Sequence, residues 1–196
     1  MYIILGSTIF SLDENGGGVV DLRTTLQCVQ GNNPRSISLM IQTTVTTAAS
    51  ILYTGSNIVT NYFGICINCG AGFGKLLIDS YGAYYTSSTG KAINDGLWHS
   101  VLVTYDGTTL NIYVDGILDD SATSWNGSGY SATIASILIT VGNCGNYLGQ
   151  HADGASNKWS GKLKNVIFYD YAITNSYTLA NSYQIAGSII YSSGNE

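Results

Sequence analysis

Residues 95–120 read DGLWHSVLVTYDGTTLNIYVDGILDD. Two Asp-Gly pairs, Asp106-Gly107 and Asp115-Gly116, separate three short runs rich in Val, Leu, Ile and Tyr. Asp and Gly tolerate the positive φ of tight hairpin turns, so Asp-Gly between alternating apolar runs signals a hairpin. The stretch therefore predicts a three-stranded antiparallel meander.

Similar runs extend in both directions. Strands are expected at Tyr2–Phe10, Thr25–Gln30, Ser36–Thr43, Ser50–Thr54, Tyr62–Asn68, Lys75–Asp79 and Ala83–Ser87, then at Thr133–Val141 and Lys162–Tyr169. Short strands with turn signals between them predict an all-β sandwich or barrel. A length of 196 residues fits one such domain, residues 1–196, with no linker or repeat. The only proline, Pro34, starts a turn in GNNPRS. Gly16-Gly17-Gly18 and Gly70-Ala71-Gly72 read as loops, because no helix opens after either to make a phosphate cradle. Thr174 is placed to cap one short helical turn over Asn175–Tyr183.

Alternation assigns the faces. Ile37, Leu39 and Ile41 share one side of their strand, with Ser38, Met40 and Gln42 opposite. Leu110, Ile112 and Val114 oppose Asn111 and Tyr113. The run 98–105 is apolar on both faces, which suits a central strand. Leu163 is out of phase with Val166 and Phe168, and a bulge near Asn165 would reconcile them.

Composition narrows function. Hydrophobic residues make up 45% and charged residues only 10%, below the usual share for soluble domains. The net charge is −5, with seven Lys and Arg, so the basic face of a nucleic-acid binder is not expected. No run reaches membrane-spanning length, and MYIILGSTIF lacks the basic start of a signal peptide. The cysteines are Cys28, Cys66, Cys69 and Cys144. Cys66 and Cys69 form a C-x-x-C without a second pair or a spaced His, leaving three readings: unpaired buried thiols, a disulfide, or a metal site. Positions three apart in a strand point to opposite faces, which favours the first.

The order Trp98-His99, Tyr105-Asp106-Gly107, Tyr113-Val114-Asp115-Gly116 resembles the laminin G-like, concanavalin A-like jelly rolls. Ser160–Thr174, SGKLKNVIFYDYAIT, is similar to that family's closing strand and the turn after it. The likeness spans about residues 20–180 and is weaker toward the N-terminus, where Met40 stands in place of a Trp that many members carry. It implies an antiparallel two-sheet jelly-roll sandwich with one concave sheet. It also implies scaffold roles for its recurring residues: Trp98 filling the core, His99 bonding a neighbouring strand, Asp106 and Asp115 making turns.

Some members of that superfamily hydrolyse glycans with paired carboxylates at a fixed separation. Here the glutamates are Glu14, in a glycine-flanked loop, and the terminal Glu196. Asp119 and Asp120 are adjacent, so strict alternation would separate them, and Asp153 and Asp170 stand alone. Ser100 faces away from His99. No catalytic residue is expected and the chain reads as a non-enzyme.

Two other readings remain. The first is a recognition or adhesion module for carbohydrate or another surface ligand, on the exterior of a cell or virus particle. Sugar sites combine aromatic rings with Asn and Asp, because a pyranose offers an apolar face and a rim of hydroxyls. Among fifteen tyrosines, Tyr81, Tyr84 and Tyr85 follow Asp79, while Trp125, Tyr130 and Trp159 fall near expected loops. These seven residues are the candidate ligand site. Many laminin G-like domains bind Ca²⁺ through loop oxygens, making Asp119, Asp120 and Asp153 the candidate ligands. The second reading is a structural assembly protein, such as a minor capsid or surface-layer component. Low charge and thiols without an export signal point that way. The apolar ends Tyr2–Phe10 and Ser188–Tyr191 would then pair together or extend a neighbour's sheet. Asn126-Gly127-Ser128 matches a glycosylation acceptor, a pattern short enough to arise by chance.

Overall fold

The computed structural model describes residues 2–4, 10–12, 20–21, 32–55, 62–69, 72–80, 83–86, 90–124, 147–151 and 156–174. In chain order the strands are β1 (Tyr2–Ile4), β2 (Phe10–Leu12), β3 (Val20–Asp21), β4 (Arg35–Gln42), β5 (Ala49–Gly55), β6 (Tyr62–Ile67), β7 (Leu76–Ser80), β8 (Ala83–Thr86), β9 (Trp98–Tyr105), β10 (Leu110–Val114), β11 (Ile117–Ala122), β12 (Tyr147–Leu148) and β13 (Gly161–Tyr169). All pairings among them are antiparallel. They form two sheets. Sheet A runs β1-β13-β4-β9-β10-β11, with β2 also on β13, and sheet B runs β3-β12-β5-β6-β7-β8. The expected runs at 25–30 and 133–141, and the helical turn at 175–183, lie outside the described residues. Among those described, no helix is long and apolar enough to cross a membrane.

The meander is β9, β10 and β11. Asp106 makes an Asx turn, its Oδ1 accepting the N–H of Thr108 at 2.8 Å and of Thr109 at 2.7 Å. Asp115 and Gly116 are the two residues between β10 and β11, with φ of 52° and 79°. Positive φ at both central positions is the two-residue turn whose twist matches the strands. Strand β9 is central, between β4 and β10.

The core lies between the sheets. Ile37, Leu39, Ile41, Val101, Val103, Leu110, Ile112 and Val114 of sheet A meet Ile51, Leu52, Phe63, Ile65, Ile67, Leu76 and Ile78 of sheet B. Among the described residues Trp159 is the largest fully buried side chain. Trp98, expected inside, is only half-buried, and Lys164 Nζ sits 4.3 Å over its ring. Alternation explains this, because Trp98 shares a face with Ser100 and Leu102 while Val101 and Val103 point into the core.

Three bulges set the faces. Between β13 and β4, Lys164 pairs with Met40 and Ile167 with Ser38, so β13 carries one extra residue. Asn165, at φ 52°, is where the phase switch required it. As a result Leu163, Val166 and Phe168 all reach the core. Ile51 is extra in β5, since Ser50 pairs with Cys66 and Leu52 with Ile65. Asp119 is extra in β11, since Ile112 pairs with Asp120 and Tyr113 with Leu118. The bulge breaks the strict alternation expected to separate Asp119 from Asp120. The N-terminal apolar run pairs with β13 through Tyr2–Ile4 and Phe10–Leu12.

Gly161 opens β13 at φ 146°, and a Cβ there would collide with the Gln42 carbonyl and press on Thr43. Gly161→Ala is expected to cost about 1–3 kcal/mol through forced displacement of β4. A urea titration would show the midpoint shift, and an unchanged midpoint would mean that the strand pair relaxes freely.

Candidate functional site: a cross-strand row on sheet B

The inward residues of sheet B leave the others on its outer face. On that face, one position from each strand stands in a single line. Asp21 pairs with Tyr147, Tyr147 with Tyr53, Tyr53 with Gly64, Gly64 with Asp79, and Asp79 with Tyr84. The neighbours Leu148, Leu52, Phe63, Ile65 and Ile78 all belong to the core. Strands lie about 4.8 Å apart, so Tyr53 and Asp79 are separated by about 10 Å, with Gly64 between them. Gly64 carries no side chain and, like Tyr53, is buried.

Tyr53 is 1% exposed and forms a floor. The His151 ring meets it edge-on, with centroids 5.1 Å apart and planes at 61°. Tyr147, His151 and Asp79 are partly exposed. They offer aromatic surface at one end of the row and a carboxylate at the other. The Asp79 charge also reaches the two nearby thiols: it adds to the burial that raises the Cys66 pKa, and it is outweighed at Cys69, which the hydrogen bond from Cys66 holds below its ordinary value. The parallel row along the same strands is Ser50, Cys66, Leu77 and Thr86.

The expected ligand residues divide. Asp79 and Tyr84 are partners in the row and Tyr85 is next to it on β8. Tyr81, Trp125 and Tyr130 lie outside the described residues. Trp159 is a correction: at 0% exposure its ring is a core element and not a ligand platform. Its backbone N–H donates to Gly149 O at 2.9 Å, which holds segment 156–160 against sheet B. Tyr53, Gly64, Tyr147 and His151 were not among the candidates.

For the expected cation, Asp119 Oδ1 accepts the Lys91 backbone N–H at 2.7 Å and Asp120 Oδ1 accepts that of Ser121 at 2.7 Å. Among the described residues no group of three or more His, Cys, Asp or Glu is disposed to hold a metal ion. Asp153 lies outside them.

A second polar cluster sits at the start of the meander. His99, 3% exposed, is held between Asp115 Oδ2 on Nδ1 and Asp95 Oδ1 on Nε2, each at 2.9 Å. Asp115 Oδ1 accepts the Ser100 N–H at 3.0 Å, and Lys91 Nζ lies 2.6 Å from Oδ2. Burial alone would raise the Asp115 pKa, but hydrogen bonds from Lys91, His99 and Ser100 outweigh it and hold it below the ordinary value. The His99 hydrogen bond, with the Leu97 N–H, lowers that of Asp95. These partners fix β9 to the β10–β11 turn, in keeping with a scaffold role for His99. The Ser100 hydroxyl is buried and makes no hydrogen bond to the ring.

Two antiparallel sheets around one core, with a polar row on an outer face, define a lectin-like jelly-roll sandwich. The chain belongs to the concanavalin A-like lectin/glucanases superfamily, matching its Laminin_G_3 family over residues 14–176. No curated protein matches the sequence. Among solved structures it is similar to the CBM40 of the Ruminococcus gnavus IT-sialidase, bound to α2,3-sialyllactose, at 15% identity and TM-score 0.64, covering 93% of this chain and 98% of that one. Domain 4 of the extracellular arabinanase AbnA from Geobacillus stearothermophilus, in complex with arabinotriose, shares 16% identity at TM-score 0.59, with 89% and 86% covered. The LG4-5 domains of the mouse laminin alpha1 chain share 16% identity at TM-score 0.57, with 89% of this chain and 44% of that one covered.

Proposed function

We propose that this chain is a non-catalytic recognition module that holds carbohydrate, or another polar surface ligand, across the outer face of sheet B on the exterior of a cell or virus particle. The observation that carries this is the row Tyr147-Tyr53-Gly64-Asp79-Tyr84, with His151 at one end. The partly exposed rings of Tyr147 and His151 suit the apolar face of a sugar ring, and the partly exposed Asp79 carboxylate accepts from its hydroxyls. Support comes from the sugar-bound sandwiches with which the chain shares its fold.

A glycan array run with and without Ca²⁺ tests the reading, followed by calorimetric titration of the best ligand. Tyr147→Ala and Asp79→Ala are each expected to weaken binding at least about tenfold, or 1.4 kcal/mol, with the fold intact. Binding that both variants retain in full would move the site elsewhere, and turnover of the ligand would make the chain an enzyme. If Ca²⁺ takes part through Asp119 and Asp120, it will raise the melting temperature of the wild type and not of Asp119→Ala.

A structural assembly role is the second reading. Strand β11 pairs only with β10 among the described strands and exposes Ile117 (73%) and Leu118 (51%). Self-association on size exclusion without any glycan signal would favour it.

A further inference from the structure

We propose that Cys66 and Cys69 form a reversible intrachain disulfide by exchange with a low-molecular-weight disulfide such as oxidised glutathione, with Cys69 as the entry thiol. The geometry departs from the strand rule that would put the two on opposite faces. Strand β6 ends at Ile67, and Asn68 takes φ 58°, turning the chain back. The turn is fixed from three sides. Asn68 Nδ2 donates to Val45 O at 3.1 Å and to Thr47 O at 3.0 Å, and its Oδ1 accepts the Gly74 N–H at 2.5 Å. Cys69 Sγ thereby comes to rest against the carbonyls of Ile67, at 3.4 Å, and Ala49, at 4.0 Å. Ala49 pairs with Ile67 and Ser50 with Cys66, so that resting place adjoins Cys66, and the two thiols share a hydrogen bond.

The two sulfurs are not equivalent. Cys66 is 5% exposed, whereas Cys69 is partly open to solvent. A soluble reagent therefore reaches Cys69 first. Burial pushes the Cys66 thiol up, while the hydrogen bond from Cys66 holds Cys69 below its ordinary value. The thiolate is the attacking species.

The chemistry balances. The Cys69 thiolate attacks one sulfur of the small disulfide and expels one thiolate, leaving a mixed disulfide on Cys69. The Cys66 thiol then loses its proton and attacks Cys69 Sγ, expelling the second small thiolate. Two protein thiols are oxidised, one small disulfide is reduced to two thiols, and the exchange reverses with excess reductant. The bond would tie the end of β6, two residues beyond Gly64, to the Asn68 turn.

The test uses the full chain in buffers of oxidised and reduced glutathione, quenched with iodoacetamide. The tryptic peptide 36–75 carries both cysteines and neither of the others. In wild type it is expected to lose two hydrogens and to regain them on reduction. Cys66→Ser should halt with one glutathionyl group on Cys69, and Cys69→Ser should leave the peptide unmodified. Cys66→Ala, which keeps the buried position apolar, serves if the serine variant does not fold. An unmodified wild-type peptide, a persistent mixed disulfide without closure, or a bond from either thiol to Cys28 or Cys144 would overturn the proposal.

Discussion

Trp159→Ala is expected to destabilise the protein by about 3–5 kcal/mol, the usual cost of removing a fully buried aromatic ring. Domains of this size are stable by only about 5–15 kcal/mol, so the loss takes a large share of the total. The indole is fully enclosed within the core shared by both sheets, and its backbone N–H anchors segment 156–160 to Gly149. Its indole N–H finds no acceptor among the described residues. Trp159→Phe, which removes that N–H and keeps most of the apolar volume, should therefore cost much less than alanine. Urea denaturation followed by circular dichroism measures both. The same pair of variants separates core from ligand platform. A platform residue would lose binding on truncation with the denaturation midpoint unchanged, and that outcome would sink the core assignment.

The next largest effect is expected for Asp115→Ala, at about 3 kcal/mol, because it leaves Nδ1 of the buried His99 without its partner and removes charge-assisted hydrogen bonds. Asp115 serves Ser100, His99 and Lys91 while sitting at φ 52° in the tight turn. Alanine loses the acceptor and also tolerates that φ poorly, whereas Asp115→Asn keeps the backbone and one acceptor oxygen. Asn should therefore recover part of the loss. The pH dependence follows from the depressed Asp115 and Asp95 values. Stability from groups lowered on folding is fully present above the unfolded carboxylate value of 3.8 and is lost as pH falls through their lower folded values. Melting temperatures recorded downward from neutral pH should drop below that point in wild type and more shallowly in Asp115→Asn. Parallel curves would remove Asp115 from the acid transition.

Much of the scaffold was legible because its signals are local. Asp106, Asp115 and the glycines after them specify turns by their own conformational tolerance, and the phase slip from Leu163 to Val166 required the extra residue seen at Asn165. What alternation could not give was the outer face of sheet B. Counting through Ser50–Thr54 puts Tyr53 on the side of Ile51, in the core. The extra residue at Ile51 sends Tyr53 out instead, into line with Tyr147 and Gly64. No turn residue or phase slip marks that bulge, because Ile51 and Leu52 are both apolar and both point inward. Trp98 and Trp159 were misread for a related reason. Trp98 carries the family resemblance, but its place on β9 faces away from the core, and Trp159 enters from a segment with no periodicity to read. Cys69 reached Cys66 only because Asn68 ends the strand's alternation.

The extra residue at Asp119 bears on how far another chain could extend the sheet beyond β11. A strand edge that has no partner among the described strands, with Ile117 and Leu118 exposed, is a template onto which another chain can add. Directly after those two residues, Asp119 breaks the spacing of the edge, Asp120 follows with a second carboxylate, and Asp119 itself holds the Lys91 N–H. A neighbour that adds to β11 thus finds a regular ladder only two residues long before it meets a kink and paired negative charge. The edge can support a brief contact but not the long, in-register stacking on which an ordered aggregate depends.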